Sequence, residues 1–305
     1  MKRLIISHIA DPDGVTPIIL SKLVFEEIDY ILSENKDVND NVKNNLDKYD
    51  FIYVVDLNIS EELADFIEAN YKEKIMILDH HLSCNNMNKY SFIEVNAEGK
   101  ESGTSLYYKY LLNNYNNNLL NRESTKMLVE HVRTMDIYDF SKTSKEEAEK
   151  LEMIFKIYGK DRFIDKFYNV IINDLELYSK EDLNLVELEK ERIKRYIEEK
   201  EFIEISLDNK RVGVVFAERY ISELGNYLIN KYDYLDYIVL INIDKKISYR
   251  GNGKVDLSVI AKKFGGGGHI NAAGNCLPSG LKEKVIKEIF PDAIIKEESN
   301  DNQDS

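Results

Sequence analysis

Five histidines are spread along the 305 residues, and three of them stand close to aspartates. His8 opens the segment His8-Ile9-Ala10-Asp11-Pro12-Asp13-Gly14, and His80 and His81 directly follow Asp79. Asp56 closes the apolar run Phe51 to Val55, and a further acid, Asp136, lies in Arg133-Thr134-Met135-Asp136. Imidazole together with carboxylate suits Mn²⁺, Fe²⁺ or Zn²⁺, whereas all-oxygen sets suit Mg²⁺ or Ca²⁺. Six or more such groups drawn from several segments point to two ions rather than one. Two ions roughly 3.5–4 Å apart clamp an in-line displacement at phosphorus. Asp56 is then the bridging carboxylate, and a water of lowered pKa is the nucleophile.

Each of these residues also has a plainer use. Asp11 and Asp13 around Pro12 and before Gly14 can form a turn with a helix N-cap. Pro17 fits a helix start, and Asp56 by itself can cap a helix. Two adjacent histidines after an apolar strand are harder to place, because burying both rings calls for several hydrogen-bond partners. His131 lies within a helical pattern and reads as structural. Asp139 competes with Asp136 for the same role.

The elements that must position these groups follow from the apolar pattern. Leu4 to Ile6, Phe51 to Val55 and Ile75 to Leu78 are short apolar runs separated by amphipathic stretches, the pattern of parallel strands with crossover helices. In such open α/β sheets ligands bind beyond the carboxyl ends of the strands, where His8, Asp56 and Asp79-His80-His81 fall. From Lys142 to Lys200 the chain is charge-rich and helical in pattern, with Gly159 as its one glycine and no proline. Glu191 precedes Arg195 by four residues, a spacing that supports a helix. The stretch reads as a solvated helix joining two domains. Beyond Phe202, the runs Val212 to Ala217, Tyr237 to Ile243 and Lys246 to Tyr249 read as strands and Leu257 to Phe264 as a helix, giving a second, smaller α/β unit. The boundaries expected are 1–180 for the first domain, 181–202 for a helical linker, 203–296 for the second domain and 297–305 for a disordered acidic tail.

The second unit carries its own constellation. Of the 14 glycines, eight fall within residues 251–280, and four are consecutive in Phe264-Gly265-Gly266-Gly267-Gly268-His269-Ile270-Asn271-Ala272-Ala273-Gly274. Ordering four glycines is entropically costly, and a flexible linker is rarely flanked by an amphipathic helix and a small-residue helix start. The run therefore reads as a loop that lets a ligand approach the backbone, its N–H groups cradling an anion at a helix N-terminus. No Gly-Lys-Ser/Thr follows, so it is not a Walker A loop. Residues 245–263 hold six basic residues against one acid, Asp256. Among them Arg250 is the choice for a terminal phosphate, which suits a bidentate guanidinium.

Composition bounds what this chemistry acts on. There are 41 Lys and Arg against 55 Asp and Glu, a net charge of −14, which disfavours a protein that coats long nucleic acid. A small anion held in a locally positive pocket remains compatible with it. Two cysteines form no disulfide framework, the apolar runs are too short to span a bilayer, and the first residues turn polar at once, without a signal core. These features point to the cytoplasm. The oligomeric state is not legible, and a homodimer stays open.

Asp79-His80-His81 resembles the signature of the DHH phosphoesterases, and His8, Asp11, Asp13, Asp56 and Asp136 match that family's other acidic motifs in order. Gly265 to Gly268 with His269 and Ala272-Ala273-Gly274 resembles the Gly-Gly-Gly-His motif of the family's associated C-terminal domain. The resemblance covers residues 1–290. It implies a bilobal α/β fold, a parallel-sheet catalytic lobe with two Mn²⁺ (Mg²⁺ or Co²⁺ in substitution), and a smaller lobe that holds substrate across a cleft. It further implies His8 and Asp11 on one metal, Asp13, His80 and Asp136 on the other, and Asp56 bridging. His81 would act as proton donor or phosphate contact and Asp79 would orient the histidines. Arg250, His269 and the backbone of Gly266, Gly267 and Gly268 would hold substrate phosphate. The length resembles the stand-alone nanoRNases best, which degrade short oligoribonucleotides to mononucleotides. Some members instead remove the 3′-phosphate from adenosine bisphosphate or cleave linear di-adenylate. A non-catalytic nucleotide sensor is the rival from another class, and a full set of six ligands argues against it.

Overall fold

The computed structural model describes residues 1–141 and 143–295, so the expected acidic tail 297–305 lies outside the described residues. The chain divides into two compact units, Met1–Glu189 and Lys190–Ser305. Both are α/β. Among the described residues no helix is long and apolar enough to cross a membrane.

The first unit is built on five parallel strands: β1 (Arg3–His8), β2 (Asp29–Ser33), β3 (Phe51–Val55), β4 (Ile75–Asp79) and β5 (Ile93–Val95), in the order β2-β1-β3-β4-β5. Strands β1 and β3 are apolar at consecutive positions because both faces of the sheet are covered. Leu4, Ile6, Ile52 and Val54 enter the core shared with α2 (Val38–Lys43) and α3 (Glu61–Asn70). Ile5, Tyr53 and Val55 enter the core on the other face, with α1 (Pro12–Val24), α4 (Gly103–Asn114), α5 (Glu123–Ile137) and α6 (Lys145–Ile172). The strand order reverses between β1 and β3. In such sheets the crevice outside the strand ends at that reversal is the natural ligand site, and His8 and Asp56 stand at its two sides.

The first crossover begins as the residues ask. Asp11 is the N-cap of α1, accepting from the Gly14 N–H at 3.0 Å, with Pro12 in the first turn. Pro17 lies inside α1 rather than at its start. Having no N–H, it cannot bond the Asp13 carbonyl four residues back. That carbonyl instead accepts from the Thr104 hydroxyl at 2.6 Å, which ties α4 to the start of α1.

The charge-rich middle is more than a solvated connector. Helix α6 buries Ala148, Leu151, Ile154, Phe163, Ile164 and Phe167 in the core and breaks at Gly159, where φ is 70°. Helix α7 (Lys180–Glu199) begins with a reciprocal cap: the Ser179 N–H donates to Asp182 and the Asp182 N–H to the Ser179 hydroxyl. Asp182 is fully buried and also accepts from Lys166 Nζ at 2.6 Å and the Tyr158 hydroxyl at 2.9 Å. Burial works against its charge, but the hydrogen bonds from Lys166, Ser179 and Tyr158 hold the carboxyl below the usual range. Its stabilisation is present above the ordinary carboxylate pKa and is lost as pH falls through the lowered folded value. Asp182→Asn is expected to cost about 3 kcal/mol in urea unfolding near neutral pH. The deficit should close in acid, and activity per folded molecule should be kept.

The second unit holds a six-stranded mixed sheet in the order β10-β11-β9-β8-β7-β6. Its strands are β6 (Ile203–Leu207), β7 (Lys210–Phe216), β8 (Tyr237–Ile241), β9 (Lys246–Gly251), β10 (Gly267–Gly268) and β11 (Ala272–Cys276), with helices α8 (Ile221–Lys231), α9 (Leu257–Lys263) and α10 (Leu281–Ile289). Strands β7 and β8 pair in parallel and the remaining neighbours antiparallel.

Candidate metal centre

The ends of β1, β3 and β4, the start of α1 and the last turn of α5 deliver five carboxylates and three imidazoles to one place. His8 Nδ1 lies 3.6 Å from Asp11 Oδ2 and 3.4 Å from Asp56 Oδ2. His80 Nε2 lies 3.2 Å from Asp56 Oδ1, 3.4 Å from Asp136 Oδ2 and 3.8 Å from Asp13 Oδ2. One donor atom from each of His8, Asp11 and Asp56 falls within 4.8 Å of the others, and the same holds for Asp13, His80 and Asp136. Asp56 turns one oxygen to each set. Its backbone is left-handed, with φ of 57°, while its N–H still bonds Leu78 O in the sheet. A non-glycine residue in that region is strained, and such strain gathers at functional sites. Asp11 serves two purposes at once, capping α1 through Oδ1 and facing His8 through Oδ2.

Asp79 is buried and holds the neighbouring histidines. Its Oδ1 accepts from the His80 N–H at 2.8 Å and lies 2.7 Å from His81 Nδ1, and its Oδ2 accepts from Asn58 at 3.2 Å. Burial opposes the Asp79 charge, but hydrogen bonds from His81 and Asn58 keep its carboxyl below the usual range. His81 is half exposed, and the hydrogen bond to Asp79 raises its pKa. Asp139, the competitor for Asp136, pairs instead with Arg133 at 3.1 Å. His131 is buried with Nδ1 2.6 Å from the Tyr178 hydroxyl, a structural contact as its helical setting suggests.

Without a cation the cluster gathers protons. Hydrogen bonds to Asp11 and Asp56 push His8 up to about 10. Burial draws His80 down, but the hydrogen bond to Asp56 and the charges of Asp136 and Asp13 outweigh it and bring His80 to about 9. Burial, helped by the charge of Asp56, lifts Asp136 to about 6, against the pull of His80. Burial and the charges of Asp56 and Asp136 also raise Asp13 well above the usual range. Asp136 Oδ2 is buried with no hydrogen-bond partner among the described residues. Several carboxylates, two close imidazoles and an orphaned carboxylate oxygen are the donor set a divalent cation fits.

Ser102, Gly103 and Thr104 also belong to the site, though their residue types do not announce it. The N–H groups of Gly103 and Thr104, at the start of α4, donate to Asp13 Oδ2 and Oδ1 at 2.8 and 2.9 Å. Both oxygens of Asp13 are thereby fixed by a helix N-terminus, which favours the anion. A Cβ on Gly103 would stand 2.6 Å from Asp56 Cβ and 3.1 Å from Asp13 Oδ2. The local signal was present: Ser102 and Ser105 form a capping box ahead of an apolar run. What that helix start would touch was not legible. Gly103→Ala is expected to weaken metal binding about 10–100-fold, measured by Mn²⁺ titration, with circular dichroism unchanged.

In the second unit, Arg250 lies on β9 and donates to Tyr249 O and Ser222 Oγ, both at 2.9 Å. The glycine run does not lead into a helix. Gly267 and Gly268 pair with Gly274 and Ala273 of β11, and the His269 N–H donates to Ala272 O at 2.7 Å. Gly268 has φ of 137°, and a Cβ on Gly266 would meet Gly274 O at 2.1 Å, so this tight hairpin needs glycine at both. A Cβ on Gly274 would stand 2.8 Å from Ile247 O of β9, so glycine lets the two strands approach there. The expected helix N-terminus is absent from this stretch.

The model of the DHH family, N-terminal domain, matches residues 2–133. Oligoribonuclease NrnB of Bacillus subtilis (strain 168) is 30% identical over 300 residues, covering 92% of this chain and 74% of that protein. The chain belongs to the DHH family. It is a DHH phosphoesterase, hence a hydrolase, and a homologue of an oligoribonuclease. Among solved structures it resembles the pGpG-specific phosphodiesterase PggH from Vibrio cholerae, with a TM-score of 0.54 at 13% identity, covering 95% of this chain and 97% of that one. It also resembles exonuclease RecJ bound to manganese, with a TM-score of 0.51 at 13% identity, covering 93% of this chain and 88% of that one. At these identities the likeness shows the DHH fold and no more.

Proposed function

We propose that this DHH phosphoesterase is a Mn²⁺-dependent phosphodiesterase that releases mononucleotides from oligoribonucleotides of a few residues. The observation that carries the reading is Asp56, whose two oxygens each close a separate set of donors. His8 and Asp11 would hold one ion, Asp13, His80 and Asp136 a second, with Asp56 shared, and Mg²⁺ or Co²⁺ could substitute. When bound, the two ions supply a Lewis-acid clamp on the phosphoryl oxygens and an acidified water. The 30% identity to an oligoribonuclease supports the substrate class.

The chain's own residues account for the rest. Asp13, Asp56 and Asp136 crowd one another, and cations held there would offset their charge as a phosphodiester approaches. Asp79 fixes His81 through Nδ1 and raises its pKa, which suits Nε2 to hand a proton to the leaving oxygen. Arg250 and His269 would take the substrate's terminal phosphate, beside the backbone of Gly266 to Gly268. The acidic body keeps long nucleic acid away.

The test is a Mn²⁺-supplemented assay on 5′-labelled RNAs from dinucleotides to twenty-mers, with adenosine 3′,5′-bisphosphate alongside. Rapid loss of the shortest RNAs is expected, and the band pattern reads the polarity. Turnover of the bisphosphate alone would replace the reading with a 3′-nucleotide phosphatase. Metal binding without turnover of either would replace it with a nucleotide sensor.

A further inference from the structure

Beside the cluster, between α5 and α6, lies a hollow of about 220 Å³. Its apolar wall is made by Pro12, Val132, Met135 and Leu151, and its polar edge by Asp11, Asp13, Asp136 and Glu152. Tyr138 completes it. We infer that this hollow is a nucleobase subsite, and that Tyr138 is the aromatic wall on which the base of the nucleotide at the cluster stacks. The inference rests on the phosphodiesterase reading and adds to it a specificity-determining residue.

Three observations carry it. First, the apolar wall of Pro12, Val132, Met135 and Leu151 suits the uncharged part of a nucleotide, while Asp11, Asp13 and Asp136 face the cluster where the phosphate would lie. The space corresponds to about seven waters at ~30 Å³ each, the scale of one base. Second, the hollow shares Asp11, Asp13 and Asp136 with the cluster, so its occupant is covalently within reach of a phosphate held there. Third, Tyr138 is presented rather than buried. It follows Asp136 by two residues, ends α5 in a left-handed conformation with φ of 55°, and is 74% exposed. Phe140 braces that ring edge-to-face at 6.4 Å. A bulky residue with positive φ is unusual, and an exposed aromatic beside an apolar hollow is the platform on which unpaired bases stack. Glu152, held by Lys156 at 2.8 Å, offers a carboxylate to base N–H donors at the rim.

The experiment compares a dinucleotide with the same dinucleotide made abasic at either position, using wild type, Tyr138→Phe and Tyr138→Gly in Mn²⁺. Glycine removes the ring and accepts the left-handed backbone, so it does not strain the fold. Wild type should prefer the intact substrate over one of the two abasic ones by about tenfold in kcat/KM, carried mainly by KM. Tyr138→Phe should keep that preference and Tyr138→Gly should collapse it towards unity. An equal loss by Tyr138→Gly on the intact and both abasic substrates, or an unchanged preference, would overturn the subsite. If wild type cleaves no dinucleotide but hydrolyses adenosine 3′,5′-bisphosphate, the oligonucleotide reading fails. The same comparison with ribose 3′,5′-bisphosphate then decides the subsite.

Discussion

Asp56→Asn should reduce Mn²⁺-supported turnover of a dinucleotide by on the order of 10³–10⁴-fold, while the melting temperature of the metal-free protein changes little. The substitution is chosen for its backbone. Asp56 sits at φ 57°, and asparagine tolerates that region nearly as well as aspartate. The backbone shape is therefore kept, while one charge and one of the two acceptor oxygens facing His8 and His80 are lost. Asp56 is 4% exposed, and its charge raises the pKa of Asp13 and of Asp136. Removing the Asp56 charge relieves that repulsion but also weakens its contacts to His8 and His80, so the two effects on the metal-free protein offset. A residue retained for stability would show the opposite, a lower melting temperature with modest loss of rate. Differential scanning fluorimetry without metal, together with kcat/KM and Mn²⁺ stoichiometry, separates the two. Stoichiometry in the variant should fall, since the shared ligand is the one lost. Full activity in Asp56→Asn would sink the two-ion assignment.

Raising pH should tighten Mn²⁺ binding steeply and destabilise the metal-free protein over the same interval. His8 at about 10 and His80 at about 9 are protonated at neutral pH in the metal-free cluster. A cation needs both imidazoles neutral, so binding releases protons. With up to two released, the apparent dissociation constant should fall by as much as about 100-fold per pH unit from pH 7 towards 9. Calorimetry at one pH in buffers of different ionisation enthalpy would count the protons. The stability effect has the reverse sign. Both histidines have folded pKa values above the unfolded one, so their contribution is fully present below about 6.5 and is lost as pH rises through 9 to 10. The metal-free melting temperature should therefore drop between pH 7 and 10, and the metal-loaded one should not follow it. Binding that is flat in pH would show that the imidazoles do not compete with the cation.

Much of the site's chemistry was legible in the residues. Metal-compatible donors at the ends of apolar runs are informative because a parallel sheet directs those ends to one edge, and His8, Asp56 and His80 do meet there. Asp136 was one of two candidates, Asp139 being the other. Helix α5 carries Asp136 to His80, while its neighbour Arg133 takes Asp139 to a separate ion pair. Strand β2 went unread because its exposed, mixed sequence lacks an apolar run. The helix expected after the glycine run is a strand, since small residues there serve close pairing with β9 and β10, which no local pattern announces.

The sequence by itself determined the kind of chemistry, the α/β class and the order in which the ligands arrive, because donor type and hydrophobic period are local properties. Tertiary structure alone decided which oxygen of Asp56 faces which histidine, that Gly103 and Thr104 hold Asp13 from about ninety residues away, and that Tyr138 stands beside a hollow. These depend on how α4, α5 and α6 pack across one face of the sheet. Such distances arise from burying side chains distant in the chain against each other, and no single stretch of residues encodes them.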